Sequence, residues 1–332
     1  MDLGTRYLGL ELPHPLMPGS SPLVDDLDMV RRLEDAGAAA IVMHSLFEEQ
    51  VLAEHLAAEH TLDRDEEAYA EALSFFPGME EFRLGPVEYL EQVQRVKQIV
   101  SVPVIASLNG VSPGGWLNFS ALIQQAGADA LELNVYYLAT DPEESGALIE
   151  SRTLEMFREV KRVATIPVAV KLSPFYSALA HFAQQLDEAG ADGLVLFNRF
   201  YQPDIDPDEM VVHRRLQLSD ASELPLRLRW LAVLSGQLEA SLAVSGGVTT
   251  AEDAIKAVLA GASAVQLVSA LLREGPEQLV RVRRGMLAWL EQHEFDSLDQ
   301  VRGTMNLARC PDTLAYERAN YMEILQGWKP PN

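Results

Sequence analysis

The sequence contains little of what marks several classes of protein. It has one cysteine, Cys310, so no disulfide can form within the chain, and such a content is typical of a reducing compartment. No apolar run approaches the ~18 residues that a membrane-spanning helix needs. Residues 1–12 lack a cationic stretch followed by an apolar one, so we expect neither a signal peptide nor a membrane anchor. These absences favour a cytoplasmic protein that does not bind membranes.

Positive charge is also scarce. The chain has 26 Lys and Arg residues against 49 Asp and Glu residues, and its formal net charge is -23. Because such a surface repels polyanions, we expect no nucleic acid as a partner. No cluster of cysteines could hold an iron–sulfur centre, and we expect no metal site. We expect a small-molecule substrate as the partner, and a homodimer is an open option for the oligomeric state.

A short recurring phrase predicts the fold. Ala-Gly-Ala, followed by an apolar run, begins at residues 36, 126, 189 and 260. A glycine at the end of a helix allows the left-handed turn that leads into the next strand. Between these phrases Pro103 and Pro167 open further apolar runs, at a position where a strand tolerates proline. The phrases therefore predict strands that alternate with helices.

Together these patterns predict eight strands. We place them near residues 14–18, 40–44, 103–108, 130–134, 167–172, 193–198, 241–245 and 263–267. Strands separated by helices form parallel βαβ units, and eight such units predict an α/β fold, a closed (β/α)8 TIM barrel. An open doubly wound sheet is the alternative, but it usually carries a glycine-rich first turn, and Gly-Ser-Ser-Pro at 19–22 does not match one.

A length of 332 residues is normal for one such barrel. We predict a single domain over residues 1–332, with the barrel at about 12–293 and a helical C-terminal extension at about 294–332. Two long insertions follow the second and sixth strands, at 46–85 and 199–225. Both leave the carboxyl ends of strands, where barrels carry their chemistry, and loops of this length are usually lids or binding loops.

Polar residues follow the predicted strands on that face. They are Gly19, Ser20, His44, Ser45, Ser107, Asn109, Asn134, Lys171, Asn198, Ser245, Gly246, Gly247 and Ser269. A polar ring on an apolar barrel is typical of a ligand site. Lys171 ends an apolar run, and a lysine inside a barrel mouth is costly to desolvate unless it meets an anion. The alternative is a lysine that extends to the rim.

Two further features point to a flavin mononucleotide. The loops after the seventh and eighth strands are the usual phosphate site of this fold, and here they carry Gly246, Gly247 and Ser269; a plain tight turn is the alternative for the glycine pair. Asn134 and Asn198 each end a strand, where an amide can bond a ring that both donates and accepts hydrogen bonds, although a lone Asn is more often a turn or a cap. With Lys171 beside the ring, the set fits FMN.

In order and spacing these segments resemble the dihydroorotate dehydrogenase family, especially its soluble branch, from about residue 7 to 293. The matching stretches are Pro-Leu-Met-Pro-Gly-Ser at 15–20, Glu-Leu-Asn at 132–134, Val-Lys-Leu-Ser-Pro at 170–174, Phe-Asn at 197–198, Ser-Gly-Gly-Val at 245–248 and Gly-Ala-Ser-Ala-Val-Gln at 261–266. The resemblance implies an FMN oxidoreductase that acts on CH–CH groups. The cofactor-binding residues that we expect are Gly19, Ser20, Ser45, Asn109, Asn134, Lys171, Asn198, Ser245, Gly246, Gly247 and Ser269.

The residues expected around the substrate depart from the family. Tyr137 stands where the family places a Cys or Ser base, and His44 stands in place of a lysine. Arg83 and Arg199 replace an Asn and a Ser, and the planar guanidinium suits a carboxylate, so we predict an anionic substrate bound by both arginines. Pairing of Arg83 with a neighbouring surface acid is the alternative. We predict Tyr137, Lys171 and His44 as catalytic residues.

The replaced base predicts an altered activity. An unperturbed phenol has a pKa near ~10, so Tyr137 is a poor base at neutral pH and we expect slow oxidation of dihydroorotate. Two other functions stay open from the sequence. One is a non-catalytic flavin-binding protein. The other is a Schiff-base aldolase with Lys171 as nucleophile, although no acid–base pair is evident beside this lysine.

Overall fold

The computed structural model of the chain describes residues 1–51, 85–110, 113–213, 216–317, 319–327 and 329. Most of the 46–85 insertion lies outside the described residues, and the predicted substrate residue Arg83 lies there with it.

The strands form two hairpins and one parallel sheet. The hairpins pair β1 (Thr5–Tyr7) with β2 (Leu10–Leu12) and β9 (Asp204–Asp206) with β10 (Val211–His213). The sheet contains β3 (Leu16–Pro18), β4 (Ile41–Phe47), β5 (Val104–Asn109), β6 (Ala130–Asn134), β7 (Val168–Leu172), β8 (Gly193–Leu196), β11 (Ser241–Ser245) and β12 (Ala264–Leu267).

The sheet closes on itself. Hydrogen-bonded neighbours follow the order β3-β12-β11-β8-β7-β6-β5-β4. At the remaining seam the Ala39 N–H, just before β4, donates to the Leu16 carbonyl of β3 at 3.0 Å. The predicted TIM barrel is confirmed, and the open-sheet alternative is wrong.

Helices surround the barrel. They are α1 (Leu27–Asp35), α2 (Pro86–Ile99), α3 (Pro113–Gln125), α4 (Gly146–Val163), α5 (Leu179–Glu188), α6 (Leu224–Leu234), α7 (Ala251–Ala260), α8 (Ser269–Glu274), α9 (Glu277–Gln292) and α10 (Ala319–Gly327). Local sequence sets their ends, as in α7, where Thr250 and Asp253 form a reciprocal capping box. Gly261 ends α7 with a φ of 119°, and a Cβ there would collide with Ser235.

Side chains alternate along each strand between the barrel interior and the surrounding helices. Small apolar side chains face inward from most strands, among them Ala130, Ala169, Ala243 and Ala264, while larger ones such as Leu131 face the helices. Small inward residues leave room for longer polar side chains one or two pleats further along the same strands.

The β1–β2 hairpin covers the N-terminal end of the barrel. Thr5 Oγ1 donates to the Ser263 carbonyl at 2.8 Å, and the Leu8 N–H donates to Ser241 Oγ at 3.0 Å. The side chains of Tyr7 and Leu8 are fully buried between the hairpin and the strands. The hairpin therefore leaves the carboxyl ends of the strands as the end where a ligand can enter.

The tail packs first on the barrel and then becomes exposed. The N–H groups of Gly303 and Leu307 donate to the carbonyls of Val258 in α7 and Ala232 in α6. Two 3-10 turns, Leu298–Gln300 and Thr313–Tyr316, precede α10, whose apolar side chains are largely exposed. Over the described ranges, no helix is long and apolar enough to cross a membrane.

Candidate functional site

Hydroxyl and amide side chains meet inside the barrel at the carboxyl ends of its strands. Ser45 Oγ of β4 lies 2.8 Å from Ser107 Oγ of β5 and 3.2 Å from Ser20 Oγ, which follows β3. Asn134, the last residue of β6, donates through Nδ2 to Ser45 at 2.5 Å and to Ser107 at 3.0 Å. We call these four residues the serine–amide cluster. The structure thus brings together strand ends that the sequence predicted to be polar.

One acceptor of the serine–amide cluster has no partner. Asn134 Oδ1 is buried, and within the described part of the chain no hydrogen-bond donor reaches it. Leaving a buried polar atom unpaired costs about 1–3 kcal/mol, so most such atoms are paired. An N–H donor on a bound ligand would satisfy this oxygen. The orphaned oxygen therefore points to a ligand next to the cluster.

A second set of polar side chains lies beside the serine–amide cluster, with Lys171 in register with Asn134 and Glu132 in register with Ser107. Lys171 of β7 is 6% exposed, and its Nζ lies 3.2 Å from Glu132 Oε1 of β6 and 3.0 Å from Gln266 Oε1 of β12. Gln266 Nε2 completes the triangle by donating to Glu132 Oε2. Each of the three side chains contacts the other two, and we call them the buried triad. The Lys171 ammonium lies inside the barrel, so the alternative of a lysine extended to the rim is wrong.

The two remaining amides of the predicted set lie at neighbouring strand ends. Asn198, just after β8, is buried and donates through Nδ2 to the carbonyls of Lys171 at 3.1 Å and Val135 at 3.2 Å. It therefore ties together the ends of β6 and β7. Asn109 is half-buried at the end of β5 and pairs in register with Asn134.

The glycine pair after β11 is tightly packed. Gly246 and Gly247 have φ values of 85° and 81°, a region that favours glycine. A Cβ on Gly247 would come within 2.7 Å of the Leu224 backbone nitrogen, and one on Gly246 would come within 2.8 Å of the Arg227 guanidinium. Arg227 is buried and donates through Nε to the Ser245 carbonyl at 2.6 Å. Leu224 and Arg227 therefore occupy the space that a side chain on either glycine would need, and the loop packs tightly against α6.

The other predicted phosphate residue faces the second insertion. Ser269 Oγ, at the start of α8, accepts hydrogen bonds from the Ser219 N–H at 3.0 Å and from the Ser219 hydroxyl at 2.8 Å. Arg273 donates to the Ser219 carbonyl at 2.9 Å. Just after β3, Gly19 packs against Val268 and Gln266 so closely that a Cβ would lie 2.8 Å from Val268 Cγ2. The insertion thus docks beside the predicted phosphate loop.

His44 occupies a bulge of β4. The pairing of β4 with β5 changes register between Val42 and Ser45, so Met43 and His44 together oppose one residue of β5. Its Nδ1 lies 2.8 Å from Asp25 Oδ1, and its ring meets the Tyr89 ring edge-on at 5.1 Å. Burial lowers the pKa of His44, while the Asp25 carboxylate acts in the opposite direction. None of the contacts described for His44 reaches the serine–amide cluster.

Tyr137 is hydrogen-bonded away from that cluster. Its hydroxyl donates to Glu144, which also binds Arg152 at 2.6 Å. The hydrogen bond to Glu144, and then burial, raise the pKa of Tyr137 above its ordinary value. A base for proton abstraction at neutral pH needs the opposite shift. The described geometry therefore makes Tyr137 a neutral hydrogen-bond donor.

Arg199 is already paired. Its guanidinium contacts Glu223, which also binds Arg227 at 3.2 Å, and it lies over the Tyr201 ring at 5.7 Å from the centroid. A substrate carboxylate would have to displace or share Glu223 to bind it. The predicted partnership of Arg199 with Arg83 lies outside the described residues.

Aromatic side chains line the same end of the barrel. Tyr136, after β6, stacks on Phe200, after β8, with centroids 4.3 Å apart and planes 10° apart. Phe175, after β7, meets Phe200 edge-on at 5.1 Å and is itself 65% exposed. Tyr136 and Phe175 follow the strands that carry Asn134 and Lys171, so aromatic rings cover this part of the rim.

Glu132, Gln266 and Arg227 were missed as functional candidates from the sequence. Glu132 and Gln266 carry a usable signal, since each is a polar residue inside an otherwise apolar strand, in Ala-Leu-Glu-Leu and Ala-Val-Gln-Leu. Arg227 lies on a helix after the second insertion, and nothing in its local pattern distinguishes it from a surface arginine. In the described ranges no group of three or more His, Cys, Asp or Glu side chains is arranged to hold a metal ion.

The chain is similar to known oxidoreductases over most of its length. The profile of the family described as dihydroorotate dehydrogenase matches residues 82–290. The catalytic subunit of dihydroorotate dehydrogenase B (NAD(+)) from Shouchella clausii is 30% identical over 213 residues, 62% of this chain and 69% of that protein. The corresponding subunit from Thermoplasma acidophilum is 27% identical over 321 residues, 91% of this chain and 98% of that protein. The NAD-dependent dihydropyrimidine dehydrogenase subunit PreA from Escherichia coli K12 is 26% identical over 327 residues, 92% of this chain and 77% of that protein.

Proposed function

The chain belongs to the dihydroorotate dehydrogenase family, whose members are flavin-dependent oxidoreductases, and on that premise we propose that it uses FMN to oxidise or reduce a CH–CH bond of a small molecule. The observation that carries the proposal is the buried Asn134 Oδ1, which has no partner among the described residues and lies near a buried cation. A flavin ring carries both an imide N–H and carbonyl acceptors, so its polar edge matches this set of groups.

The residues present fit FMN at both of its ends. Gly246 and Gly247 give a loop without side chains that is held against α6, and Ser269 adds a hydroxyl at the start of α8, next to the strand ends where this fold commonly binds phosphate. Asn134 would orient the ring, and Lys171 would place a positive charge beside it. When bound, FMN would supply the centre that exchanges hydride with the substrate.

Proton transfer is the part of the chemistry in which this chain departs from the family pattern. The hydrogen bond from Tyr137 to Glu144 argues against Tyr137 as the base. His44 is the other predicted catalytic residue, but its described contacts are with Asp25 and Tyr89 rather than with the serine–amide cluster. We therefore expect slow turnover of dihydroorotate and a preferred substrate of different shape.

The names of the similar proteins limit the class of substrate that we propose. Their names specify dihydroorotate and dihydropyrimidine, which are small rings containing a saturated C–C bond. We propose a small molecule with such a bond. An anionic substrate depends on Arg83, or on displacement of Glu223 from Arg199. The hypothesis of a Schiff-base aldolase is disfavoured. The Lys171 amine is ion-paired with Glu132 inside the barrel, whereas formation of a Schiff base needs a free amine.

The test is the colour and redox behaviour of the purified protein. We expect an absorbance band near ~450 nm that is released as FMN on denaturation and bleached anaerobically by a dihydropyrimidine-type substrate. Lys171→Met should lower the flavin content and make reduction harder. Lys161→Met is the matched control, since Lys161 is paired with Asp192 at the other end of the barrel. A colourless protein that does not bind added FMN would refute the proposal. Bound FMN that no such compound reduces would favour a non-catalytic flavin protein.

A further inference from the structure

Glu132 is a fully buried carboxylate to which the proposed chemistry assigns no part. It lies in the middle of β6, between Leu131 and Leu133, and it is 0% exposed. One pleat before it on the same inward face is Ala130, and one pleat after it is Asn134. Taking a carboxylate out of water costs several kcal/mol unless it is paired. Apolar residues fill the interior one pleat deeper, at Ala130, and they could have filled the level of Glu132 as well.

The contacts of Glu132 show what the carboxylate does. One oxygen lies 3.2 Å from Lys171 Nζ, and the other accepts a hydrogen bond from Gln266 Nε2. Gln266 in turn accepts from Lys171 at 3.0 Å. Lys171 Nζ is therefore fixed by two acceptors from two different strands. The position of the Lys171 ammonium depends on Glu132. Glu132 itself is fully buried and has no accessible surface on which to contact a ligand.

A second group also senses the Glu132 charge. Tyr7, on the hairpin that covers the N-terminal end of the barrel, is buried, and its hydroxyl has no partner among the described residues. Burial, and then the Glu132 charge, raise the pKa of Tyr7 well above its ordinary value. Apart from Lys171, no cation is described in contact with Glu132. Among the described cations, Lys171 is therefore the one on which the carboxylate acts at contact distance.

We propose that Glu132 is a positioning residue that holds the Lys171 ammonium in the barrel and partly offsets its charge, and thereby sets how strongly the site favours reduced over oxidised flavin. This inference rests on the proposed function. Reduction places negative charge near N1 of a flavin, so a cation beside the ring favours the reduced form. A carboxylate paired with that cation weakens the preference.

The test is the midpoint potential of the FMN-loaded protein, measured by anaerobic spectroelectrochemistry. Glu132→Gln keeps the shape and one of the two acceptor oxygens but removes the charge, so we expect a more positive potential. Lys171→Met should give a more negative one. Glu132→Asp keeps the charge on a shorter side chain and should give a smaller positive shift. Glu188→Gln, which removes an exposed negative charge from α5, is the control for long-range charge and should leave the potential unchanged.

The double variant Glu132→Gln/Lys171→Met separates action through Lys171 from direct action on the flavin. If Glu132 acts only through Lys171, replacing Glu132 has no further effect on the potential once Lys171 is already replaced. We therefore expect the double variant and Lys171→Met to have the same potential. Because the double variant removes both members of the ion pair, it also serves if Glu132→Gln alone does not fold. An unchanged potential in Glu132→Gln, or different potentials for the double variant and Lys171→Met, would overturn the inference. Failure of the wild-type protein to bind FMN would instead overturn the proposed function.

Discussion

The glycine pair after β11 gives a prediction whose magnitude can be worked from the structure. Gly247→Ala introduces a side chain at a φ of 81°, and the left-handed backbone region costs a non-glycine residue about 1–2 kcal/mol. The new Cβ would also lie 2.7 Å from the Leu224 backbone nitrogen, which cannot rotate away. Forcing such a contact costs a further ~1–3 kcal/mol. We expect a total loss of about 2–5 kcal/mol in the free energy of unfolding.

Gly9 provides the matched control. It has a similar φ of 73° in the turn between β1 and β2, and nothing lies within 4 Å of the position of its Cβ. Gly9→Ala should therefore lose only the backbone part, about 1–2 kcal/mol. Gly246→Ala should fall between the two, because its Cβ would meet the Arg227 side chain, which can shift.

The assay is urea unfolding of the flavin-free protein for all three variants, followed by titration with FMN. We expect Gly247→Ala to bind FMN at least tenfold more weakly, about 1.4 kcal/mol, while Gly9→Ala binds it as the wild type does. Equal destabilisation of Gly247→Ala and Gly9→Ala would show that the approach of Leu224 does not constrain the loop. A destabilised Gly247→Ala protein with unchanged FMN affinity would refute the phosphate assignment.

Three further predictions address protons and charge. Burial is the main cause that lowers the pKa of His14 from 6.5 to about 4, so this histidine is neutral in the folded protein. Its contribution to the free energy of unfolding should be fully present above pH ~6.5. That contribution should fall by about 2–4 kcal/mol as the pH drops to ~4. His14→Asn, which keeps an acceptor for the Leu16 N–H, should flatten that part of the profile of melting temperature against pH, and a parallel profile would contradict the assignment. Tyr137→Phe should change the rate of flavin reduction by a substrate less than about threefold, since a neutral donor is not the base; a loss approaching the ~10²–10⁴-fold of a removed base would reinstate Tyr137. Glu223→Gln should free Arg199 and strengthen the binding of small carboxylates, followed as a perturbation of the flavin spectrum, whereas no change from wild type would argue against an anion site at Arg199.

The sequence alone determined the fold and most of the strand ends. The Ala-Gly-Ala phrases and the prolines at strand starts predicted eight strands, and the structure has them within a few residues of those positions. These signals are local, because a left-handed glycine and a strand-initiating proline act through their own backbone. Barrel topology then places all carboxyl ends on one face, so Ser45, Asn134 and Lys171 could be expected at one site.

Tertiary structure decided which of those side chains face each other. The bulge at His44 shifts β4 by one residue and pairs the histidine with Asp25, and strict alternation along the strand does not foresee such a shift. Glu223, 24 residues further along the chain, binds Arg199. The buried triad joins residues up to 134 positions apart. Contacts of this kind exist only after the barrel has closed, because the pairing of side chains on distant strands depends on the register and packing of the whole sheet rather than on the pattern around any one residue.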